Sequence, residues 1–265
     1  MKRISTSAVA VGLVLCGLSA GAEPSGRALM DKADEQAASA KSIRRIDTSE
    51  QTTTLLMGQQ RLAQPPQTNV VRIELDRPGH LARQTATVQG QELVLLKQGE
   101  QAALKLGTGP WKVPAGPFAE MAKAVGDLFV CERETPETQK NAPVWKVAGT
   151  EVLAGQEAFV VETAGNTAAA LAQERMVKGM AKHFSANPAQ QPEVKVLEYA
   201  SKHWISKADF RRLQAVQRSK VQITVALAEG TKQVVENVSK TTSQYSFDPV
   251  SIEIPAEAQK ILSNH

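Results

Sequence analysis

Early in the chain, apolar and polar residues change from helical spacing to alternation. The stretch from Arg27 to about Ile43 contains no Gly or Pro, and Leu29, Ala33 and Ala37 recur at helical spacing. The pattern predicts an amphipathic helix. Because its apolar stripe is built from small residues, we expect the helix to pack closely against a sheet.

From about Ile46 onward, short segments alternate between apolar and polar residues. Val71, Ile73 and Leu75, for example, alternate with charged side chains, and a Pro-Gly turn follows them. Similar runs continue to about residue 106. They predict five strands joined by tight turns. This arrangement is typical of an antiparallel meander with one apolar face and one solvent-exposed face.

Two helices are predicted to interrupt the strands, at residues 118–129 and from about Thr167 to Phe184. Strands then return, including two long ones from about Phe210 to Leu227 and from about Thr231 to Phe247. A short helix, Ala256 to Leu262, closes the chain. No strand–helix–strand rhythm appears, so the prediction is an α+β fold with an antiparallel sheet rather than a doubly wound parallel sheet.

The first 22 residues have the pattern of a secretory signal peptide. Lys2 and Arg3 precede an apolar stretch, and Ala20 and Ala22 form an A-x-A cleavage pattern. A retained membrane anchor is the alternative, but the apolar stretch is short for a membrane span. The sequence therefore predicts residues 1–22 as a cleaved signal peptide, export to the periplasm, and a single mature domain of residues 23–265.

Cys16 raises the alternative of a lipid-anchored protein. A lipoprotein peptidase requires a small residue before the cysteine, and Leu15 stands there instead. The lipid-anchored form is therefore not the expected one. The other cysteine, Cys131, then has no partner in the mature chain and is expected to be a small buried side chain.

Charge and chemical motifs exclude several functions. The full chain has a net charge of +4, of which Lys2 and Arg3 supply two, so the mature protein has no basic excess suited to nucleic acid. Phosphate loops, nucleophile elbows, C-x-x-C pairs and histidines at metal-ligand spacing are all missing from the sequence. No cofactor, metal or catalytic residue is predicted, although a hydrolase with a dispersed triad stays an alternative.

The order of several weak motifs resembles one known group of exported proteins. The matches are Gly155 with residues 159–162, the segment WISK at 204–207, and Tyr245 with the segment IEIPA at 252–256. Together with the first helix and meander, they resemble the outer-membrane lipoprotein carrier and sorting proteins. That superfamily includes the mycobacterial lipid-transfer lipoproteins. Ser206, where the family often has an acidic residue, and the long segment between Glu162 and Val194 depart from its pattern.

The resemblance implies a strongly curved antiparallel half-barrel that a few helices cover, enclosing an apolar cavity. A monomeric carrier or chaperone for lipid, or for the acyl chains of a lipoprotein, is the function that it implies. Tryptophans and methionines in such a fold are either core residues or cavity lining. The candidate cavity residues are Trp111, Phe118, Met121, Val125, Trp145, Phe159, Val161, Met180, Trp204, Val221, Ile223 and Val225.

Two other functions stay open at this point. An envelope sensor or interaction protein on the same scaffold would bind a protein partner, and a secreted hydrolase would carry a dispersed active site. The lipid, the donor and acceptor proteins, and the role of residues 163–193 are not determined by the sequence.

Overall fold

The computed structural model describes residues 24–58, 60–88, 90–127, 144–164, 174, 193–226 and 232–263. The predicted signal peptide, Cys131 and Met180 lie outside these ranges. Of the predicted helix Thr167–Phe184, only Glu174 is described, and it is helical.

Three helices are described, and each begins close to its predicted position. They are α1 (Gly26–Ser39), α2 (Pro117–Asp127) and α3 (Ala256–Leu262). The Ser25 hydroxyl accepts a hydrogen bond from the Ala28 amide at 3.2 Å and so caps α1. The helix ends four residues before the predicted Ile43, because Ile43 is fully buried within the sheet and Ala40 is already extended.

In the described part of the chain, eleven strands form one antiparallel sheet. Their bounds are β1 (Ser42–Met57), β2 (Gln60–Ala63), β3 (Gln67–Asp76), β4 (Leu81–Val88), β5 (Gln91–Gln98), β6 (Gln101–Leu106), β7 (Lys146–Leu153), β8 (Gln156–Ala164), β9 (Glu193–Ser206), β10 (Arg212–Ala226) and β11 (Lys232–Ser246). The strand order is β6-β5-β4-β3-β1-β11-β10-β9-β8-β7, with β2 beside the far end of β1. Pro65 and Pro66 separate β2 from β3, since proline has no amide hydrogen for the ladder.

This sheet confirms the coarse part of the fold prediction. It is large, antiparallel and accompanied by helices, and its edge strands β6 and β7 do not pair with each other in the described part of the chain. The strong curvature of a half-barrel and the enclosed cavity stay predictions.

The helices cover the sheet unequally. On the helix face, defined as the face that α1 and α2 cover, α1 packs its Leu29 and Met30 against Val161 and Ile205. The helix α2 packs on the same face against Leu93 and Leu95. The other face, called the opposite face below, is covered at β5 and β6 by α3 and the preceding segment, which contact Leu96 and Ala103. The middle of the sheet therefore receives less cover from the described helices than its ends.

Candidate functional site

The candidate site lies on the helix face of the four longest strands, β9, β10, β11 and β1. The pairing of β11 with β10 and with β1 runs without a register shift, so side chains alternate regularly between the two faces. Residues that stand opposite each other on neighbouring strands therefore form rows across the sheet. The rows divide the helix face into an apolar part and a polar part.

The apolar part lies where β1 ends and β11 begins. Ile223 stands opposite Val194 on one side and Val235 on the other, and Val235 stands opposite Leu55. Val194 and Val221 are only 2% and 4% exposed. We call this set the apolar rows; its members are Leu55, Val194, Val196, Val221, Ile223, Val225 and Val235.

Directly behind the apolar rows, the opposite face is charged. Lys220 lies 3.9 Å from Glu236, and Lys195 lies 2.8 Å from Glu193. Because side chains alternate along each strand, the apolar rows lie on the helix face and these charged side chains lie on the opposite face. In this described part of the sheet, the helix face carries the larger apolar surface, although Leu56 and Val234 adjoin each other on the opposite face.

Closer to α1, the same face of the same strands is polar. Thr241 donates a hydrogen bond to the Ser49 hydroxyl at 3.2 Å, and the hydroxyls of Ser219 and Ser239 are 2.8 Å apart. We call this set the polar rows; its members are Asp47, Ser49, Gln51, Tyr199, Ser201, His203, Ala215, Gln217, Ser219, Ser239, Thr241 and Ser243. Ala215 is the one apolar member.

The ionisable groups of the polar rows are neutralised locally. Asp47 pairs with Arg45 at 3.0 Å, and Arg212, which borders the rows, pairs with Asp34 of α1 at 2.7 Å. Burial, together with the positive charge of Arg212, lowers the pKa of His203 to about 3, so this imidazole is neutral at ordinary pH. The polar rows therefore combine many hydrogen-bonding groups with little net charge.

The structure distributes the predicted site residues over separate regions. Val221, Ile223 and Val225 lie together in the apolar rows. The α2 residues pack into the core with Leu93 and Leu95, and another group packs under α1. The first group comprises Phe118, Met121 and Val125; the second comprises Trp145, Phe159 and Val161.

Two of the predicted tryptophans lie on the opposite face. Trp111 packs against the α3 cluster, and Trp204 packs with Val160. The Trp204 indole donates a hydrogen bond to Glu151 at 2.7 Å. The structure does not bring these tryptophans together with Val221, Ile223 and Val225.

Several residues of the candidate face were missed in the sequence. Val194 stands between polar residues, whereas Leu55, Val196 and Val235 each have an apolar neighbour in the sequence. Only the strand register shows that these four residues surround Ile223. The Ser- and Thr-rich segments of β1 and β11 have the composition of a solvated strand. Their alternation indicates that they are strands. Only the strand pairing shows which face of the sheet their side chains line.

A concave region of about 850 Å³ lies mainly on the opposite face of β7 to β10. Its lining includes Lys146, Lys202, Arg218 and Lys240, with Glu162 as the acidic residue among those described. Arg218 stands directly opposite Lys240 in the sheet, which places two like charges side by side. The lining also includes the apolar side chains of Val144, Trp204 and Val216, so this region combines an apolar surface with positive charge.

Neither a metal site nor a membrane-spanning helix is found in the described part of the chain. Its His, Cys, Asp and Glu residues form no group suited to hold a metal ion. Within the same ranges, no helix has both the length and the apolar character needed to cross a bilayer.

Comparisons with known proteins find structural likeness without sequence relatives. No family model matches the sequence, and no curated protein matches it. The structure is similar to the lipoprotein LppX of Mycobacterium tuberculosis, at 12% identity and a TM-score of 0.44, covering 88% of this chain and 100% of that one. LprF of Mycobacterium bovis matches at 11% identity and a TM-score of 0.46, covering 87% and 97%.

A third similar structure is an outer membrane lipoprotein-sorting protein domain from Vibrio parahaemolyticus. It has 13% identity and a TM-score of 0.23, and the match covers 89% of this chain and 98% of that one. The structure is thus similar to proteins of the group that the sequence resembles, at low identity and low TM-score.

Proposed function

We propose that this protein is an exported, non-enzymatic carrier that holds a lipid, or the acyl chains of a lipoprotein, against the apolar rows. The observation that carries this proposal is the continuous apolar surface around Ile223, on the helix face of strands whose opposite face is charged. We further propose that residues 23–265 form one monomeric domain in the periplasm, and that the sheet curves around the ligand.

The chemistry of the apolar rows fits an acyl chain. Burying each methylene group contributes about 0.8 kcal/mol, so a long chain binds without a fixed pattern of hydrogen bonds. Val194 and Ile223 supply branched side chains on adjacent strands, and Val235 extends the surface to β11. Such a site needs no catalytic group.

The remaining predicted residues have supporting roles in this proposal. The clusters around Val125 and Val161 hold α2 and α1 on the helix face. These helices flank the long strands, so their core residues act on the ligand through the position of the helices. Trp111 and Trp204, on the opposite face, are not proposed as acyl contacts.

The first experiment is native mass spectrometry of the mature protein purified from its own cell envelope, followed by lipid extraction. We expect a stoichiometric lipid that is lost on denaturation. A protein free of lipid that also takes up no fluorescent fatty acid would contradict the proposal.

A matched pair of variants then locates the site. Ile223→Lys places a charge in the apolar rows, whereas Thr224→Lys places the same charge on the opposite face of the same strand. We expect Ile223→Lys to weaken binding of a fluorescent fatty acid at least about tenfold, which corresponds to about 1.4 kcal/mol. Thr224→Lys should bind normally. Circular dichroism and thermal unfolding check that both variants fold, and equal affinities of the two folded variants would place the ligand elsewhere.

The envelope interaction protein stays the second hypothesis, and the basic region around Arg218 favours it because an acidic partner would relieve the repulsion from Lys240. A protein that copurifies stoichiometrically in the absence of lipid would support it over the carrier.

A further inference from the structure

We propose that the polar rows bind the headgroup of the ligand, and that this headgroup is uncharged and rich in hydroxyl groups. The inference rests on the proposed carrier function and names the class of lipid. It starts from the division of one continuous face: polar rows from Asp47 to Gln51 on β1 are followed by the apolar position Leu55 on the same strand. An amphiphilic lipid is divided in the same way, into a polar headgroup and apolar chains.

The polar rows cover too large an area to be the surface against which an acyl chain packs. Three successive rows span about 13 Å along the strands, and four strands span about 14 Å across them. Covering such a surface with methylene groups would leave hydroxyls and amides without partners, at a cost of about 1 to 3 kcal/mol for each buried group. A polar part of the ligand would supply hydrogen-bond partners for these groups and so remove this cost.

Unpaired buried atoms provide the second, independent observation. Asp47 Oδ1, Asn237 Oδ1 and His203 Nδ1 are buried and have no hydrogen-bond partner. Buried polar atoms of folded proteins are nearly always paired, so three such atoms on one face indicate groups that a ligand satisfies. Both oxygens accept hydrogen bonds, and a ligand hydroxyl is able to donate to each.

The position of Asn237 links the two parts of the surface. It stands opposite Val221 on β10 and opposite Thr53 on β1, which is where the polar rows meet the apolar rows. A ligand whose chains lie over Val221 would present the first polar atoms of its headgroup at this residue.

Charge distinguishes the kind of headgroup. Asp47 and Arg212 are each engaged in an ion pair, and His203 is neutral, so the described polar rows do not offer a free cation for a phosphate. The basic region on the opposite face has that character instead. A headgroup with several hydroxyls and no charge, such as a sugar, fits the polar rows.

The test compares lipids with identical acyl chains: glucosyl diacylglycerol, phosphatidylglycerol and diacylglycerol, measured by displacement of a fluorescent fatty acid. We expect the glucosyl lipid to bind at least about tenfold more tightly than the other two. Thr241→Val should remove this advantage of the glucosyl lipid, while the variant still binds the fatty acid. Thr242→Val, the same change one residue along on the opposite face, is the control and should alter neither.

Each result decides between the two proposals. Equal affinity for all three lipids, or tighter binding of phosphatidylglycerol, would overturn the headgroup inference and leave the carrier function standing. Failure of every lipid and of the fatty acid would overturn the carrier function itself. If Thr241→Val unfolds the protein, Ser239→Ala, which also removes a hydroxyl from the polar rows, replaces it.

Discussion

The short-strand end of the sheet and the long strands in its middle differ in how their side chains are buried. At the short-strand end, β3 to β6, α2 covers the helix face and α3 covers the opposite face, so Leu95 and Leu96 are both almost fully buried although they point in opposite directions. In the long strands β9, β10, β11 and β1, apolar side chains concentrate on part of the helix face, and charged side chains such as Lys220 occupy the opposite face.

This difference shows which part of the sheet is apolar on both faces and which part is apolar on one face only. The segment LVLL of β5 is apolar at successive positions, as expected of a strand buried on both faces. The strand β10 alternates, so its apolar side chains need cover on one face only. We infer that the short-strand end stabilises the fold, whereas the long strands carry the surface that we propose for the ligand.

One buried charge breaks the apolar character of the short-strand end. Glu74 is only 1% exposed, and Arg44 and Arg83 donate hydrogen bonds to it at 2.8 and 2.7 Å. Burial acts to raise the pKa of Glu74, but the hydrogen bonds and positive charges of the two arginines outweigh it, and the pKa is lowered. The carboxylate is therefore the shared partner of two partly buried cations.

The largest effect is expected from removing this charge. Glu74→Gln leaves Arg44 and Arg83 without their counter-ion, and we expect a loss of about 3 to 5 kcal/mol in the free energy of unfolding, measured with urea. The control is Glu50→Gln, whose exposed carboxylate lies 3.9 Å from Lys240 and should matter little. Similar losses in both variants would contradict the distinction between a buried end and an open region.

An intermediate effect is expected where α1 meets the sheet. Gly26 lies so close to β7 that an added Cβ would be 2.7 Å from the carbonyl carbon and oxygen of Trp145. Gly26→Ala therefore requires α1 to shift, and we expect it to destabilise the protein by about 1 to 3 kcal/mol. Glu35→Ala, at an exposed position of the same helix, is the control. A neutral Gly26→Ala would mean that the cover of the long strands adjusts freely.

The smallest effect is a pH dependence that belongs to the polar rows. The pKa of His203 is about 3 in the folded protein and near 6.5 in the unfolded chain. The free energy of unfolding is therefore unaffected by this group above pH 6.5, and it decreases as the pH falls from 6.5 towards 3. Between pH 6.5 and 5.5, wild type should lose about 1 kcal/mol more than His203→Gln. Parallel stability curves for the two proteins over this range would show that His203 is not buried in its neutral form.

The sequence predicted local structure well where a single period extended over a whole element. The helix α3 has its predicted bounds, and β10 and β11 lie within one or two residues of theirs. Within β10, alternation correctly placed Val221, Ile223 and Val225 on one face. The end of α1 was predicted four residues too late, because apolar spacing does not distinguish the last turn of a helix from the first buried residue of a strand.

The sequence by itself predicts export, and it determined the antiparallel class of the sheet and the alternation along each strand. Only the tertiary structure decided which residues meet: Ile223 with Val194 and Val235, and Thr241 with Ser49. A register shift beside Leu213 accompanies the contact of Arg212 with Asp34, and Trp111 packs with the α3 cluster on the opposite face of the sheet. The physical reason is that a period of two fixes faces within one strand, whereas register and helix packing depend on partners far away in the chain.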